Sequence, residues 1–454
     1  MDLQKIITSQ QLYFSSDETK SIAFRKAQLK KLKALILANE SALCEAINKD
    51  FKKSAFETYA TELGLLYHEI DTALKHLKTW SYRQRVPTNF ANFPAKSYII
   101  PEPLGVSLIL GAWNYPYQLS LASVVAAIAA GNTVVLKPSE IPANSSAILA
   151  KLINENFPEN YFTVIEGGVE VTTELLKLKF DKIFFTGSTT VGKIVYKAAA
   201  EHLTPVTLEL GGKSPAIVLK DCNIKRTAQR LVWAKFLNAG QTCIAPDYVL
   251  VDQSIEKELL EALKKYTQQF YRENDFENYV QIINDKNFDR LLNLIDPEKV
   301  YVGGNHNKAE RYIAPTILQN CSFSDKAMQD EIFGPILPVI AFSDLEKAVA
   351  EIKQRPKPLS CYIFSNNSKK VKYLLHTLSF GGGAVNDAVM HISNGALPFG
   401  GVGNSGMGNY HGEAGFRAFS HYKSMLHKPF WFEANIKYPP YSKLKLKLLK
   451  LLLG

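Results

Sequence analysis

Val106-Ser107-Leu108-Ile109-Leu110-Gly111 opens the stretch that decides the fold, and Thr133-Val134-Val135-Leu136, running into Lys137-Pro138-Ser139-Glu140, closes it. Each apolar run is short and continuous, bounded by turn residues, which marks a strand buried on both faces. Between them, residues 118–130 read as a helix. Pro142 then falls in the opening turn of the next helix, where a missing N–H costs nothing.

Outward from this unit the rhythm repeats. Phe162-Thr163-Val164-Ile165, Lys182-Ile183-Phe184-Phe185 and Val206-Thr207-Leu208 extend the series to five strands. Apolar strands alternating with helices specify a doubly wound, mostly parallel sheet, whose ligands bind at the carboxyl ends of the strands. After Gly212 a second series starts at Pro215-Ala216-Ile217-Val218-Leu219, continues through Tyr248-Val249-Leu250-Val251 and reaches Ala384-Val385. Two α/β domains are therefore expected, as the 454-residue length also suggests. Upstream, Ile22, Phe24, Leu29, Leu32, Leu35 and Ile36 recur at three- and four-residue steps, so residues 16–78 read as helical, with Ser15-Ser16-Asp17-Glu18 as cap. Residues 86–103, rich in proline and aromatics, read as a connecting or edge segment.

Composition removes several classes. The five cysteines are scattered, odd in number and without a C-x-x-C pair, which argues against a disulfide framework or a zinc site and for a reducing, cytoplasmic setting. Met1-Asp2-Leu3-Gln4-Lys5 leads into no apolar run with a cleavage site, so no signal peptide is expected. The net charge of +10 raises nucleic acid as a partner, but the basic residues are dispersed and no binding motif accompanies them. No nucleic-acid partner is expected.

Three glycine patterns compete for a nucleotide. Gly401-Val402-Gly403-Asn404-Ser405-Gly406 matches G-x-G-x-x-G, but no strand precedes it and no helix opens on it, so it reads as a glycine-rich loop. Gly187-Ser188-Thr189-Thr190-Val191-Gly192-Lys193 is one residue from a phosphate-binding loop, with Ile194 where a magnesium ligand belongs. Its strand–turn–helix context still suits a phosphate at a helix N-terminus. Lys137 and Glu140, ending another strand, suit ribose hydroxyls.

The chemistry centres on two further segments. Leu208-Glu209-Leu210-Gly211-Gly212-Lys213 places a carboxylate at a strand end before two glycines, and Asn238-Ala239-Gly240-Gln241-Thr242-Cys243 presents a thiol. A thiolate nucleophile with a carboxylate base suggests covalent catalysis through sulfur. Taken singly, Cys243 reads equally as a small core residue, Glu209 as an ion-pair partner of Lys213, and Asn114 as a turn residue before Pro116.

Gly111-Ala112-Trp113-Asn114-Tyr115-Pro116, the Glu209 and Cys243 segments and Glu331-Ile332-Phe333-Gly334-Pro335 follow in one order. Together they resemble the motif set of the NAD(P)-dependent aldehyde dehydrogenase superfamily. The compact length and Leu397-Pro398-Phe399-Gly400-Gly401 through Gly408 resemble its class 3 branch, which includes fatty aldehyde dehydrogenases. That resemblance implies Cys243 as nucleophile, Asn114 and the Cys243 N–H as oxyanion donors, and Glu209 as the base for hydrolysis of a thioester. It implies cofactor contacts from Lys137, Glu140, Gly187, Ser188, Gly192, Glu331 and Phe333, with NAD or NADP as cofactor and no metal. It also implies a Rossmann-like cofactor domain (1–85 and 104–210), a catalytic domain (211–395), and a bridging, oligomerisation region (86–103 and 396–440) of a homodimer.

Trp113, Tyr115, Tyr117 and Trp233 stand near these motifs with no adjacent arginine or histidine, which favours apolar aldehydes, aliphatic or aromatic, over charged ones. The tail, residues 441–454, alternates lysine and leucine. As a helix it sets Lys443, Lys447 and Lys450 on one side and Leu444, Leu448 and Leu451 on another, a pattern suited to a membrane surface or to packing on a second subunit. Rival readings are a cofactor-free cysteine hydrolase and a non-catalytic membrane-associated scaffold.

Overall fold

The computed structural model describes residues 2–272 and 279–453. The opening unit forms the centre of a six-stranded sheet. Val106–Leu110 lies between Thr133–Lys137 and Lys182–Thr186, all parallel, with Phe162–Val164 beyond one side and Val206–Glu209 beyond the other. This is the 3-2-1-4-5 order of a doubly wound sheet, which puts the topological switch point between Val106–Leu110 and Lys182–Thr186. All five positions of both strands are buried, as continuous apolar runs require.

The helix Gln118–Ala130 is buried at every residue. It can be apolar all round because helices Ile22–Ala38 and Gly64–Ser81 cover the side it turns away from the sheet. The cap of that first covering helix differs from expectation. Ser21, rather than the 15–18 segment, accepts a hydrogen bond from the Phe24 N–H, and residues 18–20 make a separate 3₁₀ turn. The opposite face of the sheet buries Val106, Leu108, Leu175, Phe180 and Val195. A helix the sequence reading passed over, Leu3–Phe14, adds Ile6 and Ile7 there, and its Gln10 amide donates to the Val134 and Glu159 carbonyls.

The second series forms a seven-stranded sheet, in the order Val300–Val302, Thr316–Leu318, Ile336–Phe342, Tyr248–Asp252, Pro215–Val218, Ser360–Phe364 and Gly382–Val385. All pairs are parallel except the one with Val300–Val302. Glu209 ends the last parallel strand of the first sheet and Pro215 begins the first strand of the second, so Gly211-Gly212 is the crossing point.

A third sheet of three antiparallel strands joins Gln84–Val86, Lys96–Pro103 and Ser420–His427, the last two paired over eight residues. Residues 396–419 go elsewhere. Gly406–Met407 adds an antiparallel edge to the first sheet beside Val206–Glu209, and Gly412–Ala418 packs on Gln118–Ala130. The glycines of the 401–406 loop serve this tight return: a Cβ on Gly401 would sit 2.0 Å from the Ser405 carbonyl oxygen. The tail is helical over Lys443–Leu453, with Leu444 and Leu451 exposed. Among the described residues no helix is long and apolar enough to cross a membrane.

Candidate active site

A strained loop delivers Cys243. After helix Ile224–Phe236, three consecutive residues adopt left-handed backbone: Asn238 (φ 54°), Ala239 (φ 51°) and Gly240 (φ 71°). Such strain costs about 1–3 kcal/mol per non-glycine residue and persists only where surroundings over-determine it. Here they do. The Asn238 N–H donates to Glu57 Oε1 (2.7 Å), and its Nδ2 donates to the Asn114 carbonyl (3.0 Å) and the Gln241 carbonyl (3.2 Å). Gln241 Oε1 accepts from the Ile283 N–H at 3.0 Å. Gly240 is required, since a Cβ there would lie 2.3 Å from the Gly334 carbonyl oxygen.

Two contacts tie this loop to the Asn114 segment at the switch point. Asn114 Nδ2 donates to the Gln241 carbonyl at 3.0 Å, and the Tyr115 hydroxyl shares a proton with Thr242 Oγ1 at 2.5 Å. Lys53 Nζ lies 4.1 Å from the Tyr115 ring centre and pairs with Glu62 at 2.7 Å, fully buried. Glu62 in turn accepts from the Tyr117 N–H (2.8 Å), anchoring the start of the Gln118–Ala130 helix. The neighbours of the two candidate residues, 115 and 242, thus bond each other and fix 114 beside 243. Tyr117 itself faces the core, its hydroxyl on the Leu43 carbonyl, and does not line the cleft as its position in the motif suggested.

Glu209 is buried at the end of its strand, and neither carboxylate oxygen has a hydrogen-bond partner. Burial alone pushes its carboxyl well above the usual range. The ion-pair reading with Lys213 fails: Lys213 bonds Asp247 and the Ala327 and Asp330 carbonyls. Asp247 also accepts from the Ile332 N–H at 2.9 Å, so this pair holds the segment that carries Glu331. Glu331 rests so close to Gly211 that a Cβ there would be 1.9 Å from its Oε2. Burial and Asp247 raise Glu331 to about 8, against the Gly212 N–H, Lys213 and Lys235. Cys243 is half-buried, its thiol pushed up by burial first and then by the charges of Glu331 and Glu209.

Asn114, Glu209, Cys243 and Glu331 line one cleft of about 910 Å³. Lys137, Glu140, Gly187, Ser188, Val191 and Ile194 line the same cleft. Lys137 Nζ bonds Glu140 Oε2 at 2.8 Å; burial alone would raise Glu140, but that ammonium and a backbone N–H hold it low. Ser188 caps the helix Thr189–Ala200 by accepting from the Val191 N–H. A Cβ on Gly187 would strike the Phe185 ring at 2.6 Å, and one on Gly192 would strike Leu210 at 2.6 Å. Gly192 therefore serves close helix packing. Phe333, left-handed at φ 49°, sets its ring edge-on to Trp113 at 5.4 Å. Arg290 and Arg355 also line the cleft, cations that sequence adjacency to the motifs did not reveal.

The cleft offers features that suit a dinucleotide: exposed Val191 and Ile194 stand beside a helix N-terminus, and the Lys137–Glu140 pair adds polar groups to the same lining. Among the described residues no cluster could hold a metal.

Comparison with known proteins shows the family. The profile of the aldehyde dehydrogenase family matches residues 1–425. The chain is 48% identical to 4,4'-diaponeurosporen-aldehyde dehydrogenase of Staphylococcus aureus over 96% of both chains. It is 47% identical to the dimeric NADP-preferring aldehyde dehydrogenase of Rattus norvegicus over 94% of this chain and 95% of the relative. A solved structure of Staphylococcus aureus AldH in a substrate-bound state superposes with a TM-score of 0.97 at 46% identity, covering 100% of both chains. This chain belongs to the aldehyde dehydrogenase family.

Proposed function

We propose that this NAD(P)-dependent aldehyde dehydrogenase oxidises apolar aldehydes, aliphatic or aromatic, by covalent catalysis on Cys243. One observation carries the reading: the Asn114 amide is fixed beside the Cys243 loop, in a cleft that also holds the unpartnered carboxylate of Glu209. Cys243 releases its proton to solvent, Sγ forms a bond to the aldehyde carbon, and the carbonyl pair moves to oxygen. The oxyanion is met by the second hydrogen of Asn114 Nδ2 and by the Cys243 backbone N–H. A bound nicotinamide supplies the acceptor for the hydride that leaves this carbon. Glu209, raised by burial, is suited to take a proton from the water that attacks the resulting thioester. The C–S bond breaks, the carboxylic acid departs and the thiol is restored.

In this reading the six-stranded sheet holds the cofactor, through Lys137, Glu140, Gly187 and Ser188 with Glu331 and Phe333 across the cleft. The seven-stranded sheet carries the nucleophile. Trp113 and Leu119 in the cleft lining support an apolar substrate, whereas Tyr115 and Trp233, which the motifs also suggested, are not among the lining residues. A cofactor-free hydrolase would leave the Lys137, Gly187 and Ser188 part of that lining without a purpose. Purified protein should form reduced nicotinamide from a long-chain aldehyde, and Cys243→Ala should abolish this while still binding cofactor by calorimetry. Undiminished turnover in Cys243→Ala would remove the nucleophile assignment.

The three-stranded sheet suits a homodimer interface, since its edge strand Ser420–His427 carries exposed Met425 and Leu426. Sedimentation equilibrium showing only monomer would refute this. Peripheral membrane contact is favoured by the Lys443–Leu453 helix, whose exposed leucines alternate with lysines, and by exposed Phe430 and Trp431 beside it in sequence. Co-sedimentation with anionic vesicles should be lost on removing residues 442–454; equal binding without them would overturn the tail's part.

A further inference from the structure

Cys243 stands at a corner of the turn Thr242–Ala245, which closes through the Ala245 N–H on the Thr242 carbonyl at 3.0 Å. The Cys243 and Ile244 N–H groups favour the charged sulfur, against the charges of Glu331 and Glu209. Two buried phenols grip this turn from opposite parts of the molecule. Tyr115, between strand Val106–Leu110 and helix Gln118–Ala130, holds the Thr242 hydroxyl at 2.5 Å. Tyr362, on strand Ser360–Phe364 of the seven-stranded sheet, donates its hydroxyl proton to the Ile244 carbonyl at 2.6 Å. The Ile244–Ala245 peptide is thereby fixed at both ends, its carbonyl by Tyr362 and its N–H by Thr242.

Tyr362 is itself firmly set. It is fully buried, and its strand is paired on both sides, placing it opposite Ala216 and Ala384. The His391 ring lies 6.0 Å from its own. Just before His391 the backbone is strained: Val389, at φ 66° and ψ −42°, centres a three-residue turn closed by the Met390 N–H on the Ala388 carbonyl at 2.7 Å. Such γ-turns are rare, and a β-branched residue at positive φ persists only where its surroundings enforce it. The Val389 N–H donates to the Tyr362 oxygen. With an acceptor role filled on that side, the phenol is left to aim its own proton at the Ile244 carbonyl, one peptide from the reacting sulfur.

We propose that Tyr362 is a positioning residue for the nucleophile: its hydroxyl, oriented by the Val389 N–H, locks the turn so that Sγ and the Cys243 N–H stay aimed at one aldehyde carbon and its oxygen. This rests on the reading of Cys243 as nucleophile. Strained backbone concentrates where geometry must be over-determined for chemistry. Here the strain at Val389 serves a bond whose far end is the turn that carries the thiol.

Replacements at 362 that differ in the donor test this. Tyr362→Phe and 4-fluorophenylalanine both remove it, the second filling the hydroxyl's volume, and either one suffices if the other does not fold. Each should lower kcat about 10-fold or more with KM within about 2-fold of native, since a loosened turn misplaces the attacking atom without removing binding contacts. Each should also move the rise of Cys243 alkylation with pH upward by about one unit, because the two N–H groups no longer keep their aim. 4-Aminophenylalanine, which keeps a donor at the same place, should restore both. Ile363→Val, next on the same strand, lowers stability by cavity alone and should leave kcat and the alkylation profile native. A folded donor-free variant with native kcat and profile overturns the proposal, and so does Ile363→Val reproducing the loss. Failure of the underlying reading looks different: Cys243→Ala would then keep its turnover.

Discussion

Asn114→Ala separates chemistry from stability, because the two effects differ in size for reasons visible in the structure. The substitution removes the hydrogen bond from Nδ2 to the Gln241 carbonyl. That carbonyl keeps a second donor, Asn238 Nδ2 at 3.2 Å, and the Asn114 carbonyl keeps its own bond from Asn238 at 3.0 Å. No buried group is orphaned, so the loss is that of one ordinary hydrogen bond, about 0.5–1.5 kcal/mol. In a chain of this length that moves the melting temperature by roughly 2 °C or less. Loss of one oxyanion donor, by contrast, removes about 3–4 kcal/mol of transition-state stabilisation, or about 10²–10³ in kcat. Steady-state formation of reduced nicotinamide should show that drop with KM little changed, and scanning calorimetry should show a near-native melt. Two results would refute the reasoning: a kcat within about 10-fold of native, or a loss of stability large enough to account for the drop.

Three further outcomes follow from the same contacts. Cys243, raised by burial and by the Glu331 and Glu209 charges, should react slowly with iodoacetamide near neutral pH and faster as pH climbs past the ordinary thiol value of 9.0; Glu331→Gln should speed it at fixed pH. Lys182, lowered to about 7 by burial, donates to Thr207 Oγ1 at 2.8 Å. A depressed folded value favours the neutral amine, so its contribution to stability is present above 10.5 and is lost as pH falls toward 7; the melting temperature of native protein relative to Lys182→Met should fall over that window. Gly240→Ala forces a Cβ to within 2.3 Å of the Gly334 carbonyl at positive φ, and should cost about 1–3 kcal/mol by denaturant titration while lowering activity through both loops it wedges apart.

The sheets were legible because their strands are buried on both faces: continuous runs such as Val106–Leu110 and Lys182–Thr186 permit no other reading. The Gln118–Ala130 helix was legible by length, whereas its total burial was not, since the covering helices lie before it in the chain. Leu3–Phe14 escaped notice because only Ile6, Ile7 and Gln10 turn inward. For the site, Asn114, Glu209, Cys243 and Glu331 could be named from ordered motifs, and they meet in one cleft. The groups that hold them could not be named. Lys53, Glu57, Glu62 and Gln281 reach the site from distant segments, and Tyr115 with Thr242 acquires meaning only once residues 127 apart in sequence touch. Arg290 and Arg355 show the same limit: absence of a cation beside a motif says little about the cleft that the motif lines.

The electrostatics of that cleft explain why its parts must be so firmly held. Cys243, Glu209 and Glu331 all gain negative charge on ionising, and burial opposes that charge at each of them. The nearby cations do not pair with these acids: Lys213 is committed to Asp247, and Lys235, lowered to about 8 by burial, has no hydrogen-bond partner. Ionising one acid therefore raises the cost of ionising the next, and small movements matter more than they would in water. Glu331 has the most leverage, being the largest source of charge acting on the thiol after burial itself. It lies against Gly211 at a distance that any larger residue would forbid. Neutralising that carboxylate, as in Glu331→Gln, removes this charge and makes the thiolate easier to form. The glycine at the crossing of the two sheets thus sets both the path of the chain and the field in which its nucleophile works.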